Sequence, residues 1–285
     1  MTRPDFPGGL AAIADQYDAV LCDVWGVIHN GQFAFEEACE ALVRYRDQGG
    51  AVCLITNAPT PKERATRFFD PLGVPHEAYD DCVTSGDATR QLLSERVGEV
   101  FYKMGADAGW EHDRFLYEGL DLQFGDERNS NTVLCIGLED QENDHPDDYR
   151  DRLAELADRS MEMICANPDI RVRIGDQLVW CAGALAQIFE EEGGTVIYPG
   201  KPFDPIYDLA LTKLADLGVE PAPSRILCIG DSPGTDMRGA AHRGYDGLYV
   251  GTGLTQHGAN FEQEVTDLLS EYAVPAKWAL PKLSW

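Results

Sequence analysis

The chain has 285 residues, of which 44% are hydrophobic and 25% charged, a composition typical of a folded globular protein. Its 49 acidic side chains outnumber its 23 Lys and Arg residues and give a formal net charge of −26. Nucleic acids and anionic membranes bind cationic surfaces, so this charge argues against both as the main partner. An anionic small molecule stays compatible with it, since a local site can be positive inside a negative surface.

The sequence predicts a cytoplasmic location. It contains no apolar run of about 18 residues, the length that a membrane span requires. Its first residues lack the charged and then apolar pattern of a signal peptide. The eight cysteines form no C-x-x-C pair, and several lie inside apolar runs. That pattern is typical of buried, reduced thiols and does not favour a zinc site.

Short apolar runs alternate with helical patterns in the first ninety residues. Strands are predicted at Ala19–Cys22, Ala51–Thr56 and 82–85, and helices at 35–48, 61–72 and 87–95, with Gly73 as a stop signal. Near the other end, strands at 225–230 and 247–250 flank a helix at 235–242. Continuous apolar strands joined by helices predict a parallel sheet covered on both faces, which is a doubly wound α/β core.

The middle of the chain, roughly residues 95–195, has an alternation of its own. Strands are predicted at Val100–Met104, 132–138, Glu162–Cys165 and 179–181, and helices at 147–159 and 183–192. This segment reads as a second α/β domain inserted into the first, which makes the core discontinuous in sequence.

Each predicted core strand runs into polar side chains. In parallel sheets, ligands bind beyond the carboxyl ends of the strands. Four segments far apart in sequence are therefore expected to deliver polar groups to one crevice. These groups are Asp23, the pair Thr56 and Asn57, Lys201 in Y-P-G-K-P, and the pair Asp231 and Asp236.

Such residue types support phosphoryl transfer. A carboxylate can attack phosphorus and form an aspartyl phosphate, and Mg²⁺ prefers oxygen ligands from carboxylates, phosphate and water. Asp23 and Asp231 are candidate metal ligands, assisted by Asp236. The donors Thr56, Asn57 and Lys201 can bind phosphoryl oxygens, and the lysine would neutralise charge in the transition state.

The chain resembles the haloacid dehalogenase-like superfamily, and within it the class IIA hydrolases similar to NagD and the nitrophenylphosphatases. The matching segments are CDVWGVIHNG, LITNAP, VTSGDAT, ANPD, GALAQIFEEEGGTVIYPGKP and GDSPGTDMRGA, which span residues 22–240. The resemblance implies a Rossmann-like core with an inserted α/β cap of the C2 type. The implied boundaries are 1–94 with 196–285 for the core and 95–195 for the cap.

The same resemblance implies roles for individual residues. It makes the protein a Mg²⁺-dependent phosphatase of small phosphorylated metabolites, such as sugar phosphates, nucleotides or aryl and enol phosphates. The implied nucleophile is Asp23, and the implied phosphate ligands are Thr56 and Lys201. The metal would be held by Asp23, Asp231, Asp236 and the backbone carbonyl of Trp25, and substrate contacts are expected at Asn57, Asn167 and Asp169.

One position departs from the family pattern. Phosphatases of this family carry a second Asp two residues after the nucleophile, and here that residue is Trp25. General acid–base catalysis contributes roughly 10²–10⁴-fold, so its loss matters. Three consequences stay open: a preference for leaving groups that need no proton, a substitute acid such as His29, or a weakened protein that binds metal and phosphate for a regulatory purpose.

Competing interpretations exist for other motifs. The run Gly230–Gly234 matches G-x-S-x-G, and Asp246 and His257 follow Ser232 in the order of a serine hydrolase. A nucleotide P-loop at Lys201 fails because its first glycine is missing, and a metal-free dehalogenase leaves the acidic pair unexplained. The apolar tail with Trp278 and Trp285 either packs against the core or forms a contact in a homodimer.

Overall fold

A computed structural model gives the fold and describes residues 3–106, 112–174 and 177–285. In chain order, the strands of these ranges are β1 (Ala19–Cys22), β2 (Ala51–Thr56), β3 (Asp81–Thr84), β4 (Val100–Met104), β5 (Gln123–Phe124), β6 (Thr132–Cys135), β7 (Glu162–Cys165), β8 (Arg171–Ile174), β9 (Gln177–Trp180), β10 (Thr195–Ile197), β11 (Ile226–Gly230), β12 (Asp246–Val250) and β13 (Trp278–Leu280). The α-helices are α1 (Glu36–Asp47), α2 (Lys62–Ala65), α3 (Phe69–Leu72), α4 (Ser85–Ser94), α5 (His112–Tyr117), α6 (Arg150–Asp158), α7 (Ala182–Glu191), α8 (Asp204–Asp216), α9 (Arg238–Arg243) and α10 (Phe261–Glu271).

The larger sheet has six parallel strands in the order β13-β12-β11-β1-β2-β3. Because successive side chains of a strand point to opposite faces of the sheet, β1 contributes side chains to two separate hydrophobic cores. Val20 and Cys22 belong to one hydrophobic cluster, together with Leu42 of α1. Leu21 belongs to the other, together with Ile206 of α8. Helices therefore cover both faces, as the unbroken apolar strands predict.

The strand order reverses beside β1. The chain proceeds from β1 to β2 and β3 in one direction, whereas β11, β12 and β13 extend the sheet in the other. The carboxyl ends of β1 and β11 are adjacent, with Cys22 in register with Ile229. A reversal of this kind leaves a crevice at the carboxyl edge, which is where open α/β sheets bind ligands.

A second parallel sheet, of five strands in the order β10-β7-β6-β4-β5, is formed by the middle of the chain. Its core includes Val133 of β6, Leu153 of α6 and Leu185 of α7. Strands β8 and β9 form a separate antiparallel pair, called the hairpin below. Strand β10 begins at residue 195 and pairs with β7, so it crosses the expected end of the insertion at 195/196. The division into 1–94 with 196–285 and 95–195 stays a prediction.

The structure confirms the doubly wound core and most of the expected elements. Two elements differ in kind from the expectation, and others, such as β6 and α9, differ only in their bounds. The helix expected at 61–72 is divided into α2, a 3₁₀ turn at Thr66–Phe68 and α3. Pro71 has no N–H to donate within a continuous helix, which accounts for the interruption. The strand expected at 179–181 is β9, which lies in the hairpin and not in the second sheet.

Other elements escaped the sequence interpretation, namely β5, β8, β13, α5, α8 and α10. The start of α4 carried a readable signal. Thr84 accepts a hydrogen bond from the backbone of Asp87, and the Asp87 carboxylate accepts one from the backbone of Thr84. This capping box starts the helix at residue 85 and not at 87.

The apolar tail packs within the chain, as one of its two interpretations expected. Trp278 and Trp285 both lie against the core cluster that contains Val20. Nε1 of Trp278 donates a hydrogen bond to the Tyr17 hydroxyl at 2.7 Å. All eight cysteines are buried, in agreement with the sequence. Within the described ranges, the helices lack the combination of length and apolar character that crossing a bilayer demands.

Candidate active site

Three carboxylates converge at the crevice between β1 and β11. Asp23 directly follows β1, Asp231 directly follows β11, and Asp236 lies in the turn before α9. One oxygen from each of these carboxylates can be chosen so that all three lie within 4.8 Å of one another. All three side chains are buried, with exposed fractions of 3–7%. The structure thus brings together the acidic groups that the sequence placed at two strand ends.

Lys201 provides the positive charge of this cluster. Its Nζ lies 2.6 Å from Oδ1 of Asp23 and 2.7 Å from Oδ1 of Asp236. The lysine side chain is 3% exposed, so its charge is compensated by the two carboxylates and not by water. The neighbouring negative charges raise its pKa against the opposing effect of burial, and the ammonium form is therefore held.

Asn57 fixes the backbone of Lys201. Its Oδ1 accepts a hydrogen bond from the Lys201 N–H at 2.7 Å. Its Nδ2 donates to the Lys201 carbonyl at 3.2 Å and to Oδ1 of Asp169 at 2.9 Å. The amide of Asn57 is thus already engaged in positioning the lysine. Its expected contact with phosphoryl oxygens stays a prediction.

Thr56, the last residue of β2, is also buried and lines the same cavity as the carboxylates. Its Oγ1 accepts a long hydrogen bond of 3.3 Å from the backbone N–H of Ala58. The hydroxyl proton has no acceptor among the hydrogen bonds of the described residues. Thr56 can therefore donate to a ligand oxygen in the cavity, which fits its predicted role.

Asn167 and Asp169 bring the inserted segment to the same cavity. Oδ1 of Asn167 accepts a hydrogen bond from the Asp169 N–H at 3.1 Å. Asp169 in turn accepts from Asn57, and this bond connects the segment to the larger sheet. Burial raises the pKa of Asp169, opposed mainly by the charge of Lys201. Direct contact of Asn167 and Asp169 with substrate stays a prediction.

The pKa values show that the cluster is short of positive charge. Burial, together with the charges of Asp236 and Asp231, raises the pKa of Asp23 against the opposing effect of Lys201. Burial and then the Asp236 charge raise the pKa of Asp231 to about 7. A single ammonium group faces three carboxylates, so part of their negative charge is not compensated. Divalent cations prefer oxygen ligands that carry negative charge, and the three carboxylates therefore suit such an ion.

Backbone groups around Asp231 hold its carboxylate in place, and sequence reasoning missed them. The Leu254 N–H donates to Oδ2 of Asp231 at 2.6 Å. Gly26 and Gly253 lie against the same carboxylate. A Cβ on Gly26 would lie 2.5 Å from Oδ2 of Asp231, and a Cβ on Gly253 would lie 1.6 Å from it. Gly26 also has a φ of +79°, which favours glycine. The Gly-x-Gly run after β12 was the signal for this loop.

The cavity has a volume of about 470 Å³ and is lined by both the larger sheet and the inserted segment. Trp25 forms part of its wall, where the family pattern expects an acid. A Cβ on Gly31 would come within 2.5 Å of the Trp25 ring, and the His29 ring packs edge-on at 4.8 Å between centroids. The indole is therefore packed in place. Within the described ranges, no residue donates a hydrogen bond to the Trp25 carbonyl, which fits its predicted role as a metal ligand.

His29 does not suit the role of a substitute acid. Its Nδ1 accepts a hydrogen bond from the Gly31 N–H at 3.1 Å, which places the proton on Nε2. The side chain is 2% exposed, and burial lowers its pKa to about 4. At neutral pH this imidazole is uncharged, and a neutral imidazole is a very weak acid.

The serine-hydrolase interpretation is wrong. His257 contacts the Tyr249 hydroxyl through Nε2 at 2.9 Å and Glu264 through Nδ1 at 3.5 Å. Asp246 accepts from Tyr17 and from Lys277. Neither residue is a partner of Ser232, so the geometry of a triad is absent from this part of the described chain.

Comparison with known proteins identifies the family. A solved structure of a hydrolase of the haloacid dehalogenase-like family from Brucella suis 1330 is 39% identical in sequence. The match covers 98% of this chain and 100% of that chain, with a TM-score of 0.84. The chain belongs to the haloacid dehalogenase-like family. Two models, described as haloacid dehalogenase-like hydrolase and HAD-hydrolase-like, match residues 20–114 and 198–272 of this hydrolase.

Two further proteins are similar to this chain over most of its length. The 5′-nucleotidase YutF of Bacillus subtilis (strain 168) is 27% identical over 254 residues, which cover 84% of this chain and 89% of that protein. NagD from the E. coli K-12 strain shares the fold at 22% identity, with a TM-score of 0.67 and coverage of 94% and 97%. This hydrolase has the α/β core and the inserted cap of the C2 type that the sequence predicted.

Proposed function

We propose that this hydrolase is a Mg²⁺-dependent phosphatase of small phosphorylated metabolites. The observation that carries the proposal is the ammonium group of Lys201, shared by the buried carboxylates of Asp23 and Asp236 beside Asp231. A structural ion pair would need only one carboxylate. Three carboxylates around one lysine, at the reversal of strand order, suit a site that binds a cation and an anionic phosphoryl group together.

The chemistry assigned to Asp23 is nucleophilic. A carboxylate oxygen of Asp23 forms a bond to phosphorus while the bond from phosphorus to the leaving oxygen breaks, which gives an aspartyl phosphate and the alcohol or its anion. Water then attacks phosphorus, releases inorganic phosphate and restores the Asp23 carboxylate. Lys201 and Thr56 stabilise the charge on the phosphoryl oxygens during both steps.

The residues proposed to hold Mg²⁺ are Asp23, Asp231, Asp236 and the carbonyl of Trp25. When bound, the ion supplies positive charge that offsets the charge of the carboxylates and of the phosphoryl group. Asn57 keeps Lys201 at the carboxylates through its bonds to the lysine backbone. The cap closes over the cavity and limits the access of water.

With Trp25 in place of an acid, the preferred substrates are those whose leaving group departs without a proton, such as aryl, enol or acyl phosphates. An indole cannot protonate an alkoxide, and His29 is neutral and already engages Gly31. The same observation supports a second candidate, a catalytically weakened protein that binds metal and phosphate in a regulatory role. The name of the Bacillus relative, a 5′-nucleotidase, favours the enzymatic candidate. We also propose a cytoplasmic location, from the eight buried cysteines.

Release of phosphate from p-nitrophenyl phosphate tests the proposal. We expect turnover with Mg²⁺, loss of turnover with EDTA, and recovery when Mg²⁺ is restored in excess. Asp23→Asn removes the nucleophile and is expected to abolish release, whereas Asp5→Asn, at an exposed position outside the cavity, serves as the matched control. Absence of Mg²⁺-dependent release across a panel of aryl, enol, sugar and nucleotide phosphates would favour the regulatory candidate.

A further inference from the structure

Two arginines of the hairpin line the cavity that holds the carboxylate cluster. Arg171 and Arg173 are two residues apart on β8, so their side chains leave the same face of the strand. Both belong to the wall of the cavity that also contains Asp23 and Lys201. The hairpin thus brings two guanidinium groups to a cavity whose other cation, Lys201, is already paired.

Neither guanidinium has a carboxylate partner among the described residues, although acidic groups outnumber basic ones two to one in this chain. Arg173 donates from Nη2 to the Leu254 carbonyl at 3.4 Å, and its Nε is buried without a partner. Arg171 lies over the Trp180 ring, 3.6 Å from its centroid. Elsewhere, Arg243 contacts both Asp204 and Asp208. The hairpin arginines are held in place, and in the part of the chain that the structure describes no carboxylate compensates their charge.

An uncompensated guanidinium beside apolar surface favours an anionic ligand, because charge-assisted hydrogen bonds are strong where water is partly excluded. The phosphoryl group itself is assigned to Lys201 and Thr56 at the carboxyl edge of the sheet. The arginines are therefore available for a different group of the same substrate.

The wall of the cavity is otherwise largely apolar. It includes Trp25, Phe69, Leu72, Leu138 and Ile174. A volume of about 470 Å³ lies in the usual range for sites that enclose a small molecule. An apolar or planar middle part of a substrate would suit this wall, with one charged group at each end.

We propose that Arg171 and Arg173 bind a second anionic group, a carboxylate or a phosphate, on the leaving part of the substrate. The proposal rests on the phosphatase function given above and narrows its substrates to phosphomonoesters with two anionic groups joined by an apolar or planar core. Arg171 and Arg173 are specificity-determining residues in this assignment, and they take no part in the transfer of the phosphoryl group.

Matched aryl phosphates test the assignment. We compare kcat/KM for 4-carboxyphenyl phosphate with that for 4-carbamoylphenyl phosphate, which has the same shape without the charge. Benzene-1,4-diyl bisphosphate, set against phenyl phosphate, tests phosphate as the second anion. We expect the anionic member of at least one pair to be preferred by about tenfold to a hundredfold, the range of a charge-assisted contact.

Variants identify the cause of the preference. In Arg171→Gln/Arg173→Gln we expect the ratio between charged and neutral substrate to fall to near one. Arg128→Gln removes one positive charge from an exposed position outside the cavity and is expected to keep the wild-type ratio. Arg173→Lys, which keeps the charge, is expected to retain part of the preference.

Two results would overturn the assignment: a wild-type ratio near one for both pairs, or a preference that survives in the double Gln variant. Should that variant fail to fold, as judged by circular dichroism, the wild-type ratios alone decide. Failure of the phosphatase function is seen separately, as absence of Mg²⁺-dependent hydrolysis of phenyl phosphate. In that case, calorimetric titration of the protein with phenylphosphonate and 4-carboxyphenylphosphonate still tests for preferential binding of the second anion.

Discussion

The ammonium group of Lys201 lies 2.6 Å from Oδ1 of Asp23, although 178 positions separate the two residues in sequence. The same Nζ reaches Asp236 at 2.7 Å, and all three side chains are buried. This ion pair connects the carboxyl end of β1, where Asp23 lies, to the segment after the inserted cap, where Lys201 lies. It makes both the charge balance of the site and the stability of the fold depend on one lysine.

Lys201→Met is expected to reduce both activity and stability. Loss of a preorganised donor lowers kcat by about 10²–10³-fold in comparable sites. Removing one partner of a buried ion pair costs about 3–5 kcal/mol of unfolding free energy. We would measure kcat with p-nitrophenyl phosphate and stability by urea denaturation. Lys201→Arg keeps the charge and should lose less stability; a Met variant with wild-type stability would contradict the importance of this ion pair.

Trp25→Asp is expected to raise the turnover of alkyl phosphates more than that of aryl phosphates, because the new carboxyl can protonate an alkoxide. The upper limit of the gain is about 10²–10⁴-fold. The packing of Trp25 against Gly31 and His29 means that any smaller side chain opens space there. Trp25→Asn opens the same space without supplying an acid and is the matched control. Equal changes in the two variants would argue against a missing acid.

Acid should destabilise the protein through His29. Burial lowers its pKa to about 4, whereas the ordinary value is 6.5. The unfolded chain therefore gains a proton below pH 6.5 that the folded protein accepts only near pH 4, and stability falls as the pH drops through this window. At pH 5 the loss amounts to about 2 kcal/mol relative to pH 7.5. Urea denaturation at both pH values should show this difference between wild type and His29→Gln; identical pH dependence would refute it.

Gly253→Ala is expected to weaken metal binding. The added Cβ would lie 1.6 Å from Oδ2 of Asp231, so either the carboxylate or the loop must move. We expect the Mg²⁺ concentration for half-maximal activity to rise by at least tenfold, which corresponds to about 1.4 kcal/mol. Calorimetric titration with Mg²⁺ measures the same change without turnover. Gly8→Ala, where a Cβ meets nothing within 4 Å, controls for the substitution itself; unchanged affinity in Gly253→Ala would contradict the close packing.

The sequence by itself determined the α/β class, the strands at the centre of the larger sheet and the acidic groups at their ends. Strands such as β1 and β11 are buried on both faces, so they appear as unbroken apolar runs, and the polar residue that follows each marks its end. Asp23 and Asp231 could be identified in this way because the signal is local. The family motifs then supplied the order in which distant segments meet.

Only the tertiary structure decided which polar atoms are already engaged. Asn57 was expected at the phosphoryl group, yet its amide bonds to Lys201 and Asp169, residues more than a hundred positions away. The strand β8 is short and partly exposed, so its apolar pattern is weak. Its arginines line the cavity because the hairpin borders it together with residues from other segments, and the role proposed for them depends on that placement. Contacts of this kind depend on how separate elements pack, and no local pattern of residues encodes them.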